Sequence, residues 1–218
     1  MGAGAHWAVD FCSRCQSLLY ATDFHNGVVD VFDGSFKKVE VPGGFRDPSL
    51  PSGFAPFGIQ NLNGDLYVTY EDQEDDVAGK GRGFVNVFDP DGHLIRRVAS
   101  RGRLNSPWGL AIAPAGFGKF SNRLLVGNFG DGTINAFDLH SGELRGRLRN
   151  EDGKTFRIDG LWGLRFGNGF RDQPVNTLFF SAGPDDERKG LYGRIEATQG
   201  DKKAPAASGS KKGHPSGR

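Results

Sequence analysis

The side chains most able to do chemistry include an acidic cluster of five carboxylates in one short segment: Glu71, Asp72, Glu74, Asp75 and Asp76. Because Ca²⁺ takes roughly six to eight oxygen ligands, Glu71, Asp72, Asp75 and Asp76 are candidate metal ligands, and Ca²⁺ is the one cofactor that the sequence suggests. The spacing differs from an EF-hand loop, since no Glu closes the segment and the glycines that follow are misplaced. A solvated surface loop is therefore the favoured interpretation.

Four further polar residues lie at predicted turns or strand ends, where repeated β folds collect ligands: His25, Asn61, Asn128 and Asn168. No paired carboxylate and no Ser/His/Asp arrangement occurs at a diagnostic spacing, so no catalytic residue is predicted. Cys12 and Cys15 form a single Cys-x-x-Cys without the βαβ context of a redox motif or the second ligand pair of a zinc site. We interpret them as incidental thiols.

The elements that must position these residues form a repeat. An aromatic–Gly–aliphatic step occurs at Phe57-Gly58-Ile59, Trp108-Gly109-Leu110 and Trp162-Gly163-Leu164, with the glycines 51 and 54 residues apart. Each step is followed by an apolar run, a turn and a returning strand, and the first units close on Phe-Asp. A period near 50 residues filled with short strands predicts stacked copies of one β unit. No segment of ten or more residues shows helical periodicity.

Four short strands in a unit, each sheet covering the next, describe the blades of a β-propeller. The sequence thus predicts an all-β fold of four-stranded antiparallel sheets over residues 18–196, with about three and a half blades in an incomplete arc. Residues 1–17 do not resemble the repeat, and the first unit, 18–41, lacks an inner strand. Residues 197–218 are Gly-, Ser-, Pro-, Ala- and Lys-rich, and we expect them to be disordered and dispensable.

Composition excludes several classes of function. Residues 1–196 hold 22 basic and 25 acidic groups, a net charge of −3, which argues against a nucleic-acid partner. No apolar run is long enough to span a membrane, and no signal peptide is visible, so the location of this chain stays open. The partner is expected to be a protein or a small molecule.

The motifs LYATDFHNGVVDVFD (19–33), FAPFGIQNLNGDLYVTY (54–70), DDVAGKGRGFVNVFD (75–89), LNSPWGLAIAP (104–114), LLVGNFGDGTINAFD (124–138) and IDGLWGLRFGNG (158–169) together carry a resemblance. They resemble a family of uncharacterised bacterial proteins, NHL-like propellers described as conserved hypothetical exported proteins, some with a PEP-CTERM sorting signal. The resemblance implies the propeller fold and an extracellular or periplasmic location for full-length relatives. It implies no activity. The family's leader and earlier blades have no counterpart here, which suggests a truncated product.

The sequence is consistent with two functions. The first is a non-enzymatic module that binds a ligand or partner, part of a larger exported propeller. The alternative is a metal-dependent hydrolase similar to gluconolactonase-type propellers, in which Asn61, Asn128, Asn168 and Asp23 would imitate the metal-binding ring. The inner strands contain no carboxylate, which favours the first. We also expect Trp108 and Trp162 to be buried at equivalent positions, and the open end blades to expose apolar faces and cause self-association.

Overall fold

The computed structural model describes residues 9–12, 18–73 and 78–197, with only the backbone described for 9–12. The fold consists of four antiparallel sheets, in each of which spatial order follows chain order. The first sheet contains β1 (Val9–Cys12), β2 (Leu18–Asp23), β3 (Val28–Phe32) and β4 (Lys38–Val39). The second contains β5 (Phe54–Leu62), β6 (Asp65–Asp72), β7 (Phe84–Phe88) and β8 (Leu94–Ser100).

The third sheet contains β9 (Pro107–Ile112), β10 (Arg123–Asn128), β11 (Ile134–Asp138) and β12 (Leu144–Arg147), with one 3₁₀ turn at Gly118–Phe120. The fourth contains β13 (Leu161–Phe166), β14 (Thr177–Ala182) and β15 (Leu191–Glu196). The first strands lie side by side along the axis, since β1 contacts β5, β5 contacts β9, and β9 contacts β13. The fold is an open arc of β-propeller blades, as the repeat predicted. No helix in the described ranges is long and apolar enough to cross a membrane.

The first blade differs from the sequence-based expectation. Residues Val9–Cys12 pair with Leu18–Ala21 and supply the inner strand that this blade was expected to lack. The fourth blade is instead the incomplete one, with three strands in the described part of the chain. Cys12 lies in β1, whereas Cys15 and the expected disordered tail beyond residue 197 fall outside the described residues.

The aromatic–Gly step is a β-bulge in each of the last three inner strands. The register shifts between Pro56 and Ile59 in β5, opposite Trp108-Gly109 in β9, and between Leu161 and Leu164 in β13. A bulge bends its strand and increases the local twist, which turns each inner strand across the axis. The repeat period in the sequence therefore marks an irregularity that the second, third and fourth blades share.

Three apolar clusters hold successive sheets together. One joins the first and second sheets around Tyr20, Ile59 and Leu66, and another joins the second and third around Tyr67 and Leu110. The third lies between the third and fourth sheets and includes residues from β9 to β15. Each large apolar side chain that is fully buried contributes roughly 1.5–3 kcal/mol, so burial between neighbouring blades stabilises the arc.

Candidate functional site

A cleft of about 400 Å³ lies on the inner-strand side, and we call it the axial cleft. It opens between the inner strands of the second, third and fourth blades and continues onto the outer face of the fourth sheet. Its lining comes from β5, β9, β13, β14 and β15 and from the loop after β13. Its polar and aromatic lining includes Gln60, Trp108, Arg165, Asn168, Gln173, Phe179, Ser181 and Tyr192.

Close approach of the inner strands shapes the floor of the axial cleft. A Cβ on Gly58 would lie 2.6 Å from the carbonyl oxygen of Trp108, and one on Gly109 would lie 2.4 Å from that of Trp162. Only glycine lets the next blade's backbone come so near. The bulge amides are also held, since Gly58 N–H donates to Thr69 Oγ1 at 2.8 Å and Gly163 N–H donates to Ser181 Oγ at 3.2 Å.

Trp108 forms part of the wall and is half-buried. Its ring packs edge-on against Phe57, with 4.4 Å between the ring centroids, and Phe57 in turn contacts Phe24 at 5.3 Å. Trp162 is also half-buried and donates its Nε1–H to Glu187 Oε1 at 3.2 Å. The expectation that both tryptophans are buried was wrong, because each ring lies at the cleft side or rim of its blade. Of the three equivalent aromatic residues, only Phe57 is buried.

The outer face of the fourth sheet supplies the other wall. Phe179 pairs with Arg165 on one side and with Arg194 on the other, so the three side chains share this face. Phe179 also stacks with Tyr192 at 5.8 Å, and Tyr192 is 67% exposed. Arg165 is exposed and forms no ion pair or hydrogen bond within the described ranges.

The third sheet shows how different this face is. Its equivalent positions are Leu125 with its partners Ala111 and Ala136, all of which are buried against the fourth sheet. In the fourth blade, Arg165 and Arg194 thus occupy the positions at which the third blade has Ala111 and Ala136 packed against its neighbour. The expected apolar end face is therefore a mixed aromatic and cationic surface.

Amides complete the lining. Asn168 Oδ1 accepts a hydrogen bond from the Phe170 amide at 2.9 Å, and the turn is closed by Gly169 N–H donating to the Gln173 carbonyl at 2.8 Å. Gln60 lies across the cleft on β5. Among the described residues that line the cleft there is no carboxylate, histidine or cysteine. The arrangement can stack on a ring, donate hydrogen bonds and attract an anion, but it offers no acid–base pair.

The four polar residues singled out from the sequence fall on opposite rims. Asn61 is near the end of the inner strand β5 and Asn168 follows the inner strand β13, and Asn168 lines the axial cleft. Asn61 precedes the Asn63-Gly64 turn, and its Oδ1 accepts from the Gly64 amide at 3.1 Å. His25 and Asn128 lie at the opposite rim, because His25 follows the second strand β2 and Asn128 ends the second strand β10. The structure thus separates the set into two pairs.

Asn128 is completely buried and holds the loops around it. Its Oδ1 accepts from the Asn105 amide at 3.2 Å, and its Nδ2 donates to the Arg103 carbonyl at 2.9 Å and to Asp131 Oδ1 at 3.1 Å. Every polar atom of this side chain is therefore engaged within the fold. His25 is exposed in the β2–β3 turn, where its carbonyl accepts from Gln73.

The acidic segment is only partly described. Glu71 and Asp72 end β6, and Asp72 lies 3.8 Å from Arg82. Glu74, Asp75 and Asp76 fall outside the described residues. Within the described ranges, no group of three or more His, Cys, Asp or Glu side chains is arranged to hold a metal ion. The Ca²⁺ site stays a prediction.

No family model matches the chain. It is 37% identical over 187 residues to the uncharacterised protein R648 of Acanthamoeba polyphaga mimivirus, a match that covers 82% of this chain and 45% of R648. It is 35% identical over 193 residues to protein L690 of the same virus, covering 84% and 50% of the two chains. The chain thus spans about half the length of the curated relatives it matches. These relatives are viral, and they lend no support to the bacterial, PEP-CTERM-associated family.

Two solved structures resemble the fold at the level of a TM-score of 0.50. A protein of unknown function from Bacteroides caccae is 10% identical, with 90% of this chain and 63% of that one covered. A gluconolactonase from Xanthomonas campestris is 20% identical, with 80% and 57% covered. At these identities the likeness shows the propeller fold and nothing about activity.

Proposed function

We propose that this chain is a non-enzymatic binding module whose axial cleft takes an organic ligand with a flat apolar part and an anionic group. The observation that carries the proposal is the lining itself. Trp108, Phe179 and Tyr192 offer aromatic surface, and Arg165 offers a guanidinium without a partner in the described chain. A volume of about 400 Å³ is within the range of small-molecule sites.

The alternative, a metal-dependent lactone hydrolase, needs oxygen or nitrogen ligands converging on a cation and a group that activates water. The Asn61, Asn128, Asn168 and Asp23 ring proposed for it is divided between two rims, and Asn128 and Asp23 already serve the fold. Asp23 accepts hydrogen bonds from the amide and side chain of Asn26 at 3.0 and 2.6 Å. The binding module is therefore the better supported of the two.

The test uses 8-anilinonaphthalene-1-sulfonate, a planar aromatic anion, as the probe. We expect saturable binding that weakens at least tenfold, about 1.4 kcal/mol, in the R165S/Y192S double variant. Both residues are exposed, so the variant should fold. The matched control is F36S/R46S, which removes an aromatic and an arginine from exposed sites in and just after the first sheet. Equal weakening in the control would contradict the proposal.

The same preparation tests the alternative directly. Glucono-1,5-lactone is followed with and without added Ca²⁺ or Zn²⁺, and we expect its opening to proceed at the spontaneous rate. A metal-dependent acceleration that survives in F36S/R46S would favour the hydrolase.

We also retain as proposals that the chain belongs to a larger exported propeller and that its open end blades cause self-association. Both rest on the resemblance and on the open arc. A cell-fractionation experiment on the full-length protein tests the first. Light scattering tests the second, where a monodisperse monomer would contradict it.

A further inference from the structure

Four arginines lie in the third blade and in the loops on either side of it, and none of them lines the axial cleft. Arg147 is on β12, Arg103 is in the loop before β9, and Arg149 and Arg157 are in the loop after β12. We call these residues the arginine cluster. In the second blade, the residue equivalent to Arg147 is Arg97, whose charge is paired with a carboxylate. The two blades can therefore be compared within one molecule.

In the second blade, Arg97 on β8 pairs with Asn86 on β7, and its Nε donates to Asn86 Oδ1 at 3.3 Å. The loop between the first and second blades brings Asp47 to this pair. Asp47 forms an ion pair with Arg97 and accepts from Asn86 Nδ2 at 2.9 Å, and its side chain is 1% exposed. The Arg97 charge is thus offset by a buried carboxylate.

In the third blade, the equivalent Arg147 donates its Nε to Asn135 Oδ1 at 3.0 Å. Asn135 Nδ2 donates to the backbone carbonyl of Arg103 at 3.3 Å. In the second blade, the equivalent Asn86 Nδ2 donates to the Asp47 carboxylate instead. The inter-blade loop therefore delivers an arginine in place of an aspartate. In the described ranges, no carboxylate lies within ion-pair distance of Arg147, Arg103, Arg149 or Arg157.

The electrostatics agree with this geometry. Burial, followed by the charge of Arg103, lowers the pKa of Arg147, and Arg157 and Arg149 add to the lowering. The charge of Asp131 opposes this lowering, and its Oδ1 also accepts from Thr133 Oγ1 at 2.7 Å and from Asn128 Nδ2. Arg147 is thus half-buried near three like charges and, among the described residues, has no carboxylate at ion-pair distance, whereas Arg97 has Asp47.

We propose that the arginine cluster is a second binding site, which takes a phosphoryl group. Guanidinium groups donate paired hydrogen bonds to tetrahedral oxyanions. Arg157 Nη1 donates to the Asp131 carbonyl at 3.3 Å and Arg149 Nη1 donates to the Gly153 carbonyl at 2.7 Å, so each of these exposed guanidiniums keeps further N–H groups for an anion. The anion plays the part that Asp47 plays in the second blade. Its source is either inorganic phosphate or the phosphate of a small organic molecule.

The test compares wild type with R103S/R157S by calorimetric titration with inorganic phosphate at constant ionic strength. Arg103 and Arg157 are exposed, and the variant loses only the exposed hydrogen bond from Arg157 to the Asp131 carbonyl among the contacts described, so it should fold. The control R46S/R171S removes the same charge from exposed sites elsewhere. We expect saturable binding in wild type and the control, and at least tenfold weaker binding in R103S/R157S.

Thermal melting adds an independent readout. Without phosphate, R103S/R157S should melt at a higher temperature than wild type because the repulsion around Arg147 is relieved, and added phosphate should reverse that order. A parallel titration with glucose 6-phosphate distinguishes the two sources of the phosphoryl group. If glucose 6-phosphate binds more tightly than inorganic phosphate, the site takes an organic phosphate. If it binds equally or more weakly, the site takes the free anion. No saturable binding of either in wild type, or equal weakening in R46S/R171S, overturns the proposal.

Discussion

Replacing Gly109 by alanine should break the contact between the third and fourth blades. The added Cβ would lie 2.4 Å from the Trp162 carbonyl oxygen and 2.9 Å from Leu164 Cγ. The first of these is a backbone atom of the next inner strand, so it has no rotamer with which to move away. Either β9 or the whole of β13 must shift, and the shift is transmitted to the apolar cluster between these sheets.

The magnitude follows from the cost of overpacking. Inserting a methyl group into a tightly packed interior costs roughly 1–3 kcal/mol, and a clash with backbone belongs at the upper end of that range. For a chain of this size, each kcal/mol lowers the melting temperature by roughly 2–4 °C. We therefore expect Gly109→Ala to lose about 3 kcal/mol and to melt roughly 6–12 °C below wild type.

The assay is urea unfolding followed by tryptophan fluorescence, with calorimetric melting beside it. Gly190→Ala is the matched control, because a Cβ there meets no atom within 4 Å and the backbone does not have a positive φ. That change should be neutral or slightly stabilising. If Gly109→Ala proved as stable as Gly190→Ala, the blades would not be in the contact described, and the explanation of the aromatic–Gly repeat would fail.

Three further changes test other contacts. Asp47→Asn should cost roughly 3–5 kcal/mol in urea unfolding, since it leaves the Arg97 charge without its buried partner. Burial raises the pKa of Asp47, but the hydrogen bonds from Arg97 and its neighbours outweigh it and hold the pKa below its usual value. Wild type should therefore lose this stabilisation as pH falls below about 4, while the pH dependence of Asp47→Asn should be flatter. Tyr20→Phe should lose about 1 kcal/mol, because the hydroxyl donates to the Pro90 carbonyl at 2.8 Å; spectroscopic titration of wild type should find a phenol whose pKa burial raises to about 12. Trp108→Ala should cost roughly 2 kcal/mol, less than a fully buried tryptophan, and a loss above 4 kcal/mol would contradict its half-buried position.

The fold was predictable because its information is local and repeated. The Phe57-Gly58, Trp108-Gly109 and Trp162-Gly163 steps occur once in each of the last three blades, and the structure shows that each is a bulge. At the first two of them, the inner strand of the next blade comes close. The inner strand Val9–Cys12 escaped prediction because it lacks this step and is only four residues long. Its place depends on pairing with β2, which a single short apolar segment does not reveal.

The sites were harder to predict because they depend on where the repeat is interrupted. Sequence reasoning chose polar residues at turns, and Asn128 shows why that choice is insufficient: a buried amide at a turn serves the fold first. The informative signal is a difference in residue type between equivalent positions of two blades. Arg165 of the fourth blade is equivalent to Ala111 of the third, and Arg103 lies in the loop equivalent to the one that holds Asp47. Detecting it requires the register between blades, because the substituted residues lie in loops and strands of unequal length. A repeat protein places its distinctive chemistry where one copy departs from the others, so both proposed sites lie at departures from the repeat, not at its most regular residues.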